Sequence, residues 1–193
     1  MKGSKIVWIK NFNQIKKGPI IFFGNEFFDA IPIKQFLYKN GSLLEKCYVI
    51  NRRAGLNEDY QAASHQDVKK IKTFKILKGL KFIEYPKLGL IELDKIVEKI
   101  KKQNGGILLI DYGHLNTLNR DTLQAVMRNK KININSLFNN LGKADITSLV
   151  NFGLLEEYFK KKKLKLKKIV SQKFFLEKMG IIERAKILEK NMN

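Results

Sequence analysis

A single cysteine, Cys47, in 193 residues excludes a disulfide framework and a thiolate zinc site, and leaves a buried, inert thiol as the ordinary reading. Histidine is nearly as scarce. His65 and His114 each lack a second His or a Cys at ligand spacing, so no metal site is expected. Only 3 prolines and no low-complexity tract argue against a disordered chain, and 44% hydrophobic residues suffice for a core. No apolar run approaches the roughly 20 residues that span a bilayer. Met1-Lys2-Gly3-Ser4-Lys5 also lacks the apolar stretch of a signal peptide, so the chain reads as soluble and intracellular, with no membrane insertion. Gly-x-Ser-x-Gly, Walker A and Gly-x-Gly-x-x-Gly patterns are missing, and Gly105-Gly106 precedes a strand rather than opening a helix that could cradle a phosphate.

Arginine is scarce too, and this tempers what the charge suggests. The 38 basic residues against 18 acidic ones give a net charge of +20, which invites a nucleic-acid partner. Yet only Arg52, Arg53, Arg120, Arg128 and Arg184 carry the guanidinium fork favoured in phosphate and base recognition. The lysines come with abundant Ile and Asn, as a genome-wide bias would produce. The densest run, Lys160 to Lys168, alternates with Leu164 and Leu166 and reads as a solvated helix end passing into an amphipathic strand. Nucleic acid is therefore the weaker partner reading.

The patterning is that of an α/β chain forming one domain over 1–193, with residues 36–80 as a hairpin and surface insertion. Ile20-Ile21-Phe22-Phe23 is a short apolar run suited to a strand buried on both faces. Asn25, Glu26 and Asp29 follow it, where open α/β sheets place their ligand crevice. Asn40-Gly41 between apolar runs predicts a β-hairpin. Residues 51–79 read as an irregular surface excursion, and Leu80 to Tyr85 as a strand stopped by Pro86. Leu88 to Gln103 has helical spacing, and Ile107 to Ile110 is a second doubly buried strand ending at Asp111. Helix then buried strand is half of a βαβ unit, and neighbouring parallel strands would bring their acidic ends together. Beyond lie the segment Asp121 to Arg128, an Asn-rich linker, a helix from Phe152 to Lys162 capped by Asn151, a strand over 164–170 and a terminal helix from Phe174 to Lys190. Asp29 and Asp111 could equally cap local turns. Asn25-Glu26, set before two phenylalanines, puts hydrogen-bonding groups into a partly apolar rim that suits a functional crevice as well as a turn.

Several ordered pieces together resemble a known family. Gly24-Asn25-Glu26-Phe27-Phe28-Asp29-Ala30-Ile31-Pro32 is similar to the Asn-Glu-Phe-Phe-Asp-Ala-Leu-Pro segment of MidA-type class I S-adenosylmethionine-dependent methyltransferases. Leu109-Ile110-Asp111-Tyr112-Gly113 resembles that family's Ile-Asp-Tyr-Gly strand end. Asp121-Thr122-Leu123-Gln124-Ala125-Val126, Ala144-Asp145-Ile146-Thr147, Val150-Asn151-Phe152 and Ser171-Gln172-Lys173-Phe174-Phe175-Leu176 follow in the same order. The family includes the mitochondrial arginine methyltransferase needed for assembly of respiratory complex I.

The resemblance is to the second half of that family. The Gly-rich loop and the acidic residue that hold the methyl donor come earlier in a full member, and neither is found in these 193 residues. Arg120, Leu149 and Asn151 stand where the family usually has Gly, His and Asp. The resemblance implies an incomplete Rossmann-like sheet lacking its donor-binding strands, and S-adenosylmethionine as a cofactor not expected to bind this chain alone. It implies arginine N-methylation of a protein substrate, linked to complex I assembly and dependent on a complementary amino-terminal half. Glu26, with Asn25 and Asp29, is then the candidate catalytic group, and Asp111, Tyr112 and Gln124 the candidate substrate contacts. The compartment would be bacterial cytoplasm or, in a eukaryote, the mitochondrial matrix. A non-enzymatic assembly protein or an inactive remnant is the alternative.

Overall fold

The computed structural model describes residues 6–51, 55–128, 130–134, 140 and 142–191. The polar lead at Met1 to Lys5 and most of the Asn-rich linker lie outside them. Strand β1 (Ile20–Asn25) is followed by β2 (Lys34–Lys39), β3 (Ser42–Asn51) and β4 (Gly55–Ala62), then helix α1 (His65–Lys72), β5 (Phe82–Tyr85), α2 (Lys87–Gln103) and β6 (Gly105–Ile110). β1 and β6 pair in parallel from Ile20 opposite Gly105 to Asn25 opposite Ile110, as the βαβ reading requires. The close approach depends on Gly105, where a Cβ would lie 1.9 Å from the Ile20 carbonyl oxygen.

β2 and β3 form the expected hairpin. Asn40 and Gly41 both have positive φ (50° and 75°), the pair of left-handed residues a tight two-residue turn demands. Strands in the order β4-β3-β2-β5 make a four-stranded antiparallel sheet. Residues 51–79 are thus not an irregular surface excursion. They supply β4, α1 and a 3-10 turn, and bury Ile71, Phe74 and Leu77 in the core. β4 reads as polar because it is an edge strand, held by its backbone pairing with β3 rather than by burial of its side chains.

The remaining elements are β7 (Gly113–His114), β8 (Gln124–Met127), β9 (Lys130–Ile132), β10 (Asp145–Thr147), β11 (Val150–Asn151), and helices α3 (Phe152–Lys161), α4 (Gln172–Lys178) and α5 (Ile181–Lys190). α3 starts as expected, with the Asn151 side chain accepting from the Leu154 N–H. Phe36, Leu93 and Leu154, all at 0% exposure, centre a core shared by the antiparallel sheet, α2 and α3.

Four further expectations are corrected. β1 is not buried on both faces: Ile20, Phe22 and Gly24 are half-buried, whereas Ile21 is 78% and Phe23 64% exposed. Its only strand partner among the described residues is β6, so one edge and one face lie open. Residues 164–170 form no strand. Leu164 and Leu166 do turn inward against the core, so the alternation is real, but no ladder partner meets them among the described residues. The single terminal helix is two, because Gly180 adopts a left-handed conformation (φ 85°) that closes α4 before α5 begins. Cys47, on β3, is half-buried rather than buried.

Candidate functional site

The parallel ladder sets the site. Beyond Asn25 the Glu26 N–H donates to the Ile110 carbonyl at 2.9 Å, which carries the β1–β6 pairing one residue past the strand end. Glu26 does this with φ at 49°, a left-handed conformation uncommon for a residue with a Cβ, and such backbone strain concentrates at functional turns. The chain then reverses so that Phe28 drops into the core while Asn25, Glu26 and Phe27 remain exposed. Room for the Phe28 ring comes from Gly89 in the first turn of α2, where a Cβ would sit 2.6 Å from Phe28 Cε1.

Asp111, at the end of β6, pins this turn. Its Oδ2 accepts from the Phe28 N–H at 2.8 Å and the Asp29 N–H at 3.4 Å, and its Oδ1 accepts from the Tyr112 N–H at 2.8 Å. The acidic ends of the two strands are thus brought together as the parallel arrangement anticipates, and Asp111 also serves as the local turn cap. The Asp29 carbonyl accepts from the Ser148 N–H at 3.0 Å, so the segment before β11 closes over the same corner.

Asp29 is the electrostatically unusual member. Its Oδ1 is buried with no hydrogen-bond partner. Burial first, and the Asp111 charge second, push its carboxyl above the usual range; the Ala30 N–H opposes this, and Glu26 adds a smaller push in the same direction. A corner with three carboxylates, one reluctant to ionise, can accept N–H donors from a cation and gains by doing so.

Tyr112 and Gln124 are placed differently. The Tyr112 ring is exposed, with its carbonyl tied to the Val150 N–H at 2.8 Å. Gln124 lies on β8 and donates through Nε2 to Thr147 Oγ1 on β10 at 3.2 Å. It reaches the corner only indirectly, through Thr147 and its chain neighbour Ser148.

A second polar cluster escaped the sequence reading. Gln35, 5% exposed, donates from Nε2 to Glu84 Oε1 at 2.9 Å and Asp121 Oδ1 at 2.6 Å. Glu84 in turn accepts from the Thr122 N–H and hydroxyl, and Thr122 Oγ1 accepts from the Leu149 N–H at 3.0 Å. Lys46 pairs with Asp121 at 2.9 Å and Glu58 at 2.7 Å; burial disfavours its charge, but these partners outweigh burial and hold it protonated. The cluster binds the antiparallel sheet to the segment that carries Gln124. Its members come from distant segments, and although Asp121-Thr122 belongs to a family-like motif, no spacing in the sequence marks its pairing with Gln35, Lys46 and Glu84.

Two cavities are formed by other residues, and neither is lined by Glu26, Asp29 or Asp111. A crevice of about 20 Å³ behind Phe28, bounded by Glu84, Pro86, Ser148 and Leu155, holds at most a water. A cleft of about 180 Å³ opens between α1 and α2, beside Asp67, Lys70, Tyr85, Lys87 and Asp94. Its Asp67, 1% exposed, pairs with Lys34 at 2.9 Å and Lys87 at 2.7 Å. Burial opposes its ionisation, but hydrogen bonds from Lys87, Lys34 and Ser64 prevail and lower its carboxyl to about 2. Among the described residues no three His, Cys, Asp or Glu side chains are grouped to hold a metal ion, and no helix is long and apolar enough to cross a membrane.

Comparison with known proteins gives the family and the fold. Residues 1–170 match the family described as S-adenosyl-L-methionine-dependent methyltransferase. The chain is 30% identical over 190 residues to a mitochondrial protein arginine methyltransferase, the NDUFAF7 homolog of Caenorhabditis elegans, matching 96% of this chain and 43% of that protein. It is 25% identical over 186 residues to NDUFAF7 of Danio rerio, again covering 96% of this chain and 43% of the relative. The chain thus spans less than half the length of these relatives. In fold it superposes, with a TM-score of 0.59 and 16% identity, on a COG1565 superfamily member from Burkholderia thailandensis solved with S-adenosyl-homocysteine, over 81% of this chain and 40% of that one.

Proposed function

The chain belongs to the family of S-adenosyl-L-methionine-dependent methyltransferases, and from that premise we propose that it is the acceptor-binding part of a protein arginine N-methyltransferase. In this reading it is active only together with an amino-terminal half, whether carried on the same polypeptide or a second one, and the family resemblance ties it to respiratory complex I assembly. The compartment is the mitochondrial matrix in a eukaryotic cell and the cytoplasm in a bacterial one.

One observation carries the proposal. The β1–β6 pair delivers Glu26, Asp29 and Asp111 to one corner while leaving Ile21 and Phe23 bare along the same strand. In a chain of net charge +20, a carboxylate corner is a local reversal of sign that suits a cationic acceptor.

Among the described residues, Gly24 and Gly113 open no space for a donor. Gly24 does not clear space for a ligand, since a Cβ there would meet Leu109 Cδ2 at 3.1 Å and Phe27 Cβ at 3.3 Å. Gly113 serves strand packing, with a Cβ 2.1 Å from the Val150 carbonyl oxygen. S-adenosylmethionine supplies the methyl group in this family; the share of the reaction assigned to this chain is to bind and orient the acceptor. Glu26, at the rim, accepts two parallel N–H bonds from a guanidinium, which holds the planar group at one angle. Asp29 receives the remaining N–H donors and ionises more readily once a cation is beside it, while Asp111 keeps the turn in shape.

The test supplies the amino-terminal half in trans, from DNA upstream of the gene or from the C. elegans relative, and follows transfer of a labelled methyl group to an arginine-bearing protein. Activity is expected with both halves and with neither alone. Glu26→Gln should lower it about 10-fold to 150-fold, because shape is kept and the charge-assisted pairing is lost, whereas Lys101→Gln at the exposed end of α2 should leave it unchanged. Activity of the isolated chain, or equal loss in both variants, would overturn the assignment.

A further inference from the structure

The carboxyl-terminal quarter carries a surface unrelated to the carboxylate corner. From residue 160 to 190 the sequence has twelve basic residues and three acidic ones, Glu177, Glu183 and Glu189, a net charge of 12 − 3 = +9. Lys160, Lys161 and Lys162 are paired with Glu156, Glu157 and Asp94. Lys163, Lys165, Lys167 and Lys168 are exposed and make no ion pair among the described residues. Leu164 and Leu166 pack inward against the core, while Lys163, a left-handed residue (φ 57°) in the turn that ends α3, and Lys165 and Lys167 beyond it are exposed. The stripe is anchored at every second residue and does not depend on chain disorder.

The stripe runs into α4 and α5, neither of which buries a single residue. Their large apolar side chains lie in water: Phe174, Met179 at 70% exposure, Ile181, Ile182, Ile187 and Leu188. On α5, Ile181, Ala185 and Leu188 share one stripe at i, i+4 and i+7, with Ile182 beside it and Arg184 and Lys186 at its two margins.

We infer that the stripe Lys163 to Lys168 and helices α4 and α5 form a docking surface for an anionic phospholipid bilayer. Charge and side-chain type together select this occupant. Fixed lysines next to an amphipathic helix match a negatively charged leaflet, and each lysine within a Debye length tightens binding about fivefold. The bare aliphatic side chains can enter the acyl boundary about 5 to 10 Å deep, where α5 would lie in the plane with Arg184 and Lys186 at headgroup level. A nucleic acid satisfies only half of this. It rewards the lysines, but of the exposed apolar side chains only Phe174 offers bases a stacking plane, Ile, Leu and Met offer neither stacking nor hydrogen bonds, and the segment has one arginine. A second copy of this chain would bring +9 against +9.

Cosedimentation of the full chain with vesicles tests this, using phosphatidylcholine alone or with about 30% phosphatidylglycerol. Binding is expected only to the anionic vesicles, and it should be lost between about 0.1 M and 0.5 M salt. Replacing Lys163, Lys165, Lys167 and Lys168 together by Gln should weaken binding about 600-fold. The same substitution at Lys69, Lys72, Lys101 and Lys102, exposed lysines elsewhere, removes equal charge and should change it less than about threefold. Met179→Asp with Ile182→Asp should cost about 10-fold. All these side chains are exposed, and circular dichroism verifies that each variant folds. The proposal fails if vesicles are not bound, if both quadruple variants lose equally, or if single-stranded RNA binds more tightly than anionic vesicles. It also fails if the Asp pair leaves vesicle binding unchanged and alters only the oligomeric state.

Discussion

At Asp29 local chemistry and global stability pull in opposite directions. Its carboxyl is raised by burial and by Asp111, so the folded state disfavours the ionised form. A carboxyl raised on folding contributes stability that is complete below its unfolded value of 3.8 and is lost as pH rises through the folded value. At pH 7 Asp29 is therefore a net cost, and an asparagine in its place would set an N–H donor beside the Asp111 carboxylate. Asp29→Asn should raise the thermal midpoint at pH 7 and lose that advantage near pH 3, as scanning calorimetry at the two pH values would reveal; an equal gain at both would refute the electrostatic cause. The same change should weaken any cationic ligand of the corner, a common trade between stability and function. Asp67 has the opposite sign. Its carboxyl is lowered to about 2, so its contribution is present above 3.8 and disappears as pH falls toward 2. Asp67→Asn leaves Lys34 and Lys87 facing a neutral group. The loss should be about 2 to 3 kcal/mol in urea unfolding at pH 7, below the range for fully buried pairs because both lysines are about one-third exposed.

Among the elements, β1 departs furthest from a finished strand. The Ile20 N–H reaches the Asn104 carbonyl and the Glu26 N–H reaches Ile110, so the even-numbered amides of β1 point toward β6. The amides of Ile21, Phe23 and Asn25 then point to the open edge. Hydrogen exchange should alternate along the strand, slow at Phe22 and Gly24 and fast at Ile21 and Phe23, with uniform protection counting against an open edge. An exposed edge bearing Ile21 and Phe23 is also a template for pairing. Light scattering on the isolated chain should show concentration-dependent association that Ile21→Lys with Phe23→Lys suppresses; a monodisperse monomer at about 100 μM would contradict this.

For the whole molecule, a partner that covers β1 would bind only the folded chain and so stabilise it. At about 100 times its dissociation constant such a partner adds about 2.7 kcal/mol, which for a chain of this size shifts the midpoint by about 5 to 10 °C. Differential scanning fluorimetry with the amino-terminal half in trans should show this shift, reduced in the Ile21→Lys, Phe23→Lys variant. No shift with the native chain would argue that the open strand is not where the two halves meet.

Much of this was legible in the residues themselves. The parallel β1–β6 pair, the Asn40-Gly41 hairpin, α2 and the Asn151 cap of α3 all follow from local patterns, because turn chemistry, capping and 3.6-residue periodicity act over a few residues. So did the positions of Asn25, Glu26, Asp29 and Asp111 at strand ends. Burial was not legible. Ile20-Ile21-Phe22-Phe23 reads as a doubly covered strand, yet whether a face is covered depends on what packs over it, and here α2 covers one side only. Residues 51–79 erred the other way: β4 looks polar because an edge strand is held by backbone pairing, and Phe74 and Leu77 become core only once α3 and the antiparallel sheet close around them. The pairing of Gln35 and Glu84 with Asp121 and Thr122 was invisible for the same reason, since buried hydrogen-bond partners drawn from distant segments have no spacing to betray them. Sequence by itself determined β1, the β2–β3 hairpin, α2, β6 and α3, the turn residues between them and the chemistry available at the corner. Tertiary structure alone decided which faces meet water, why Asp29 resists ionisation beside Asp111, and where the lysines of the 163–168 stripe point, because each of these depends on neighbours that only the folded chain brings within reach.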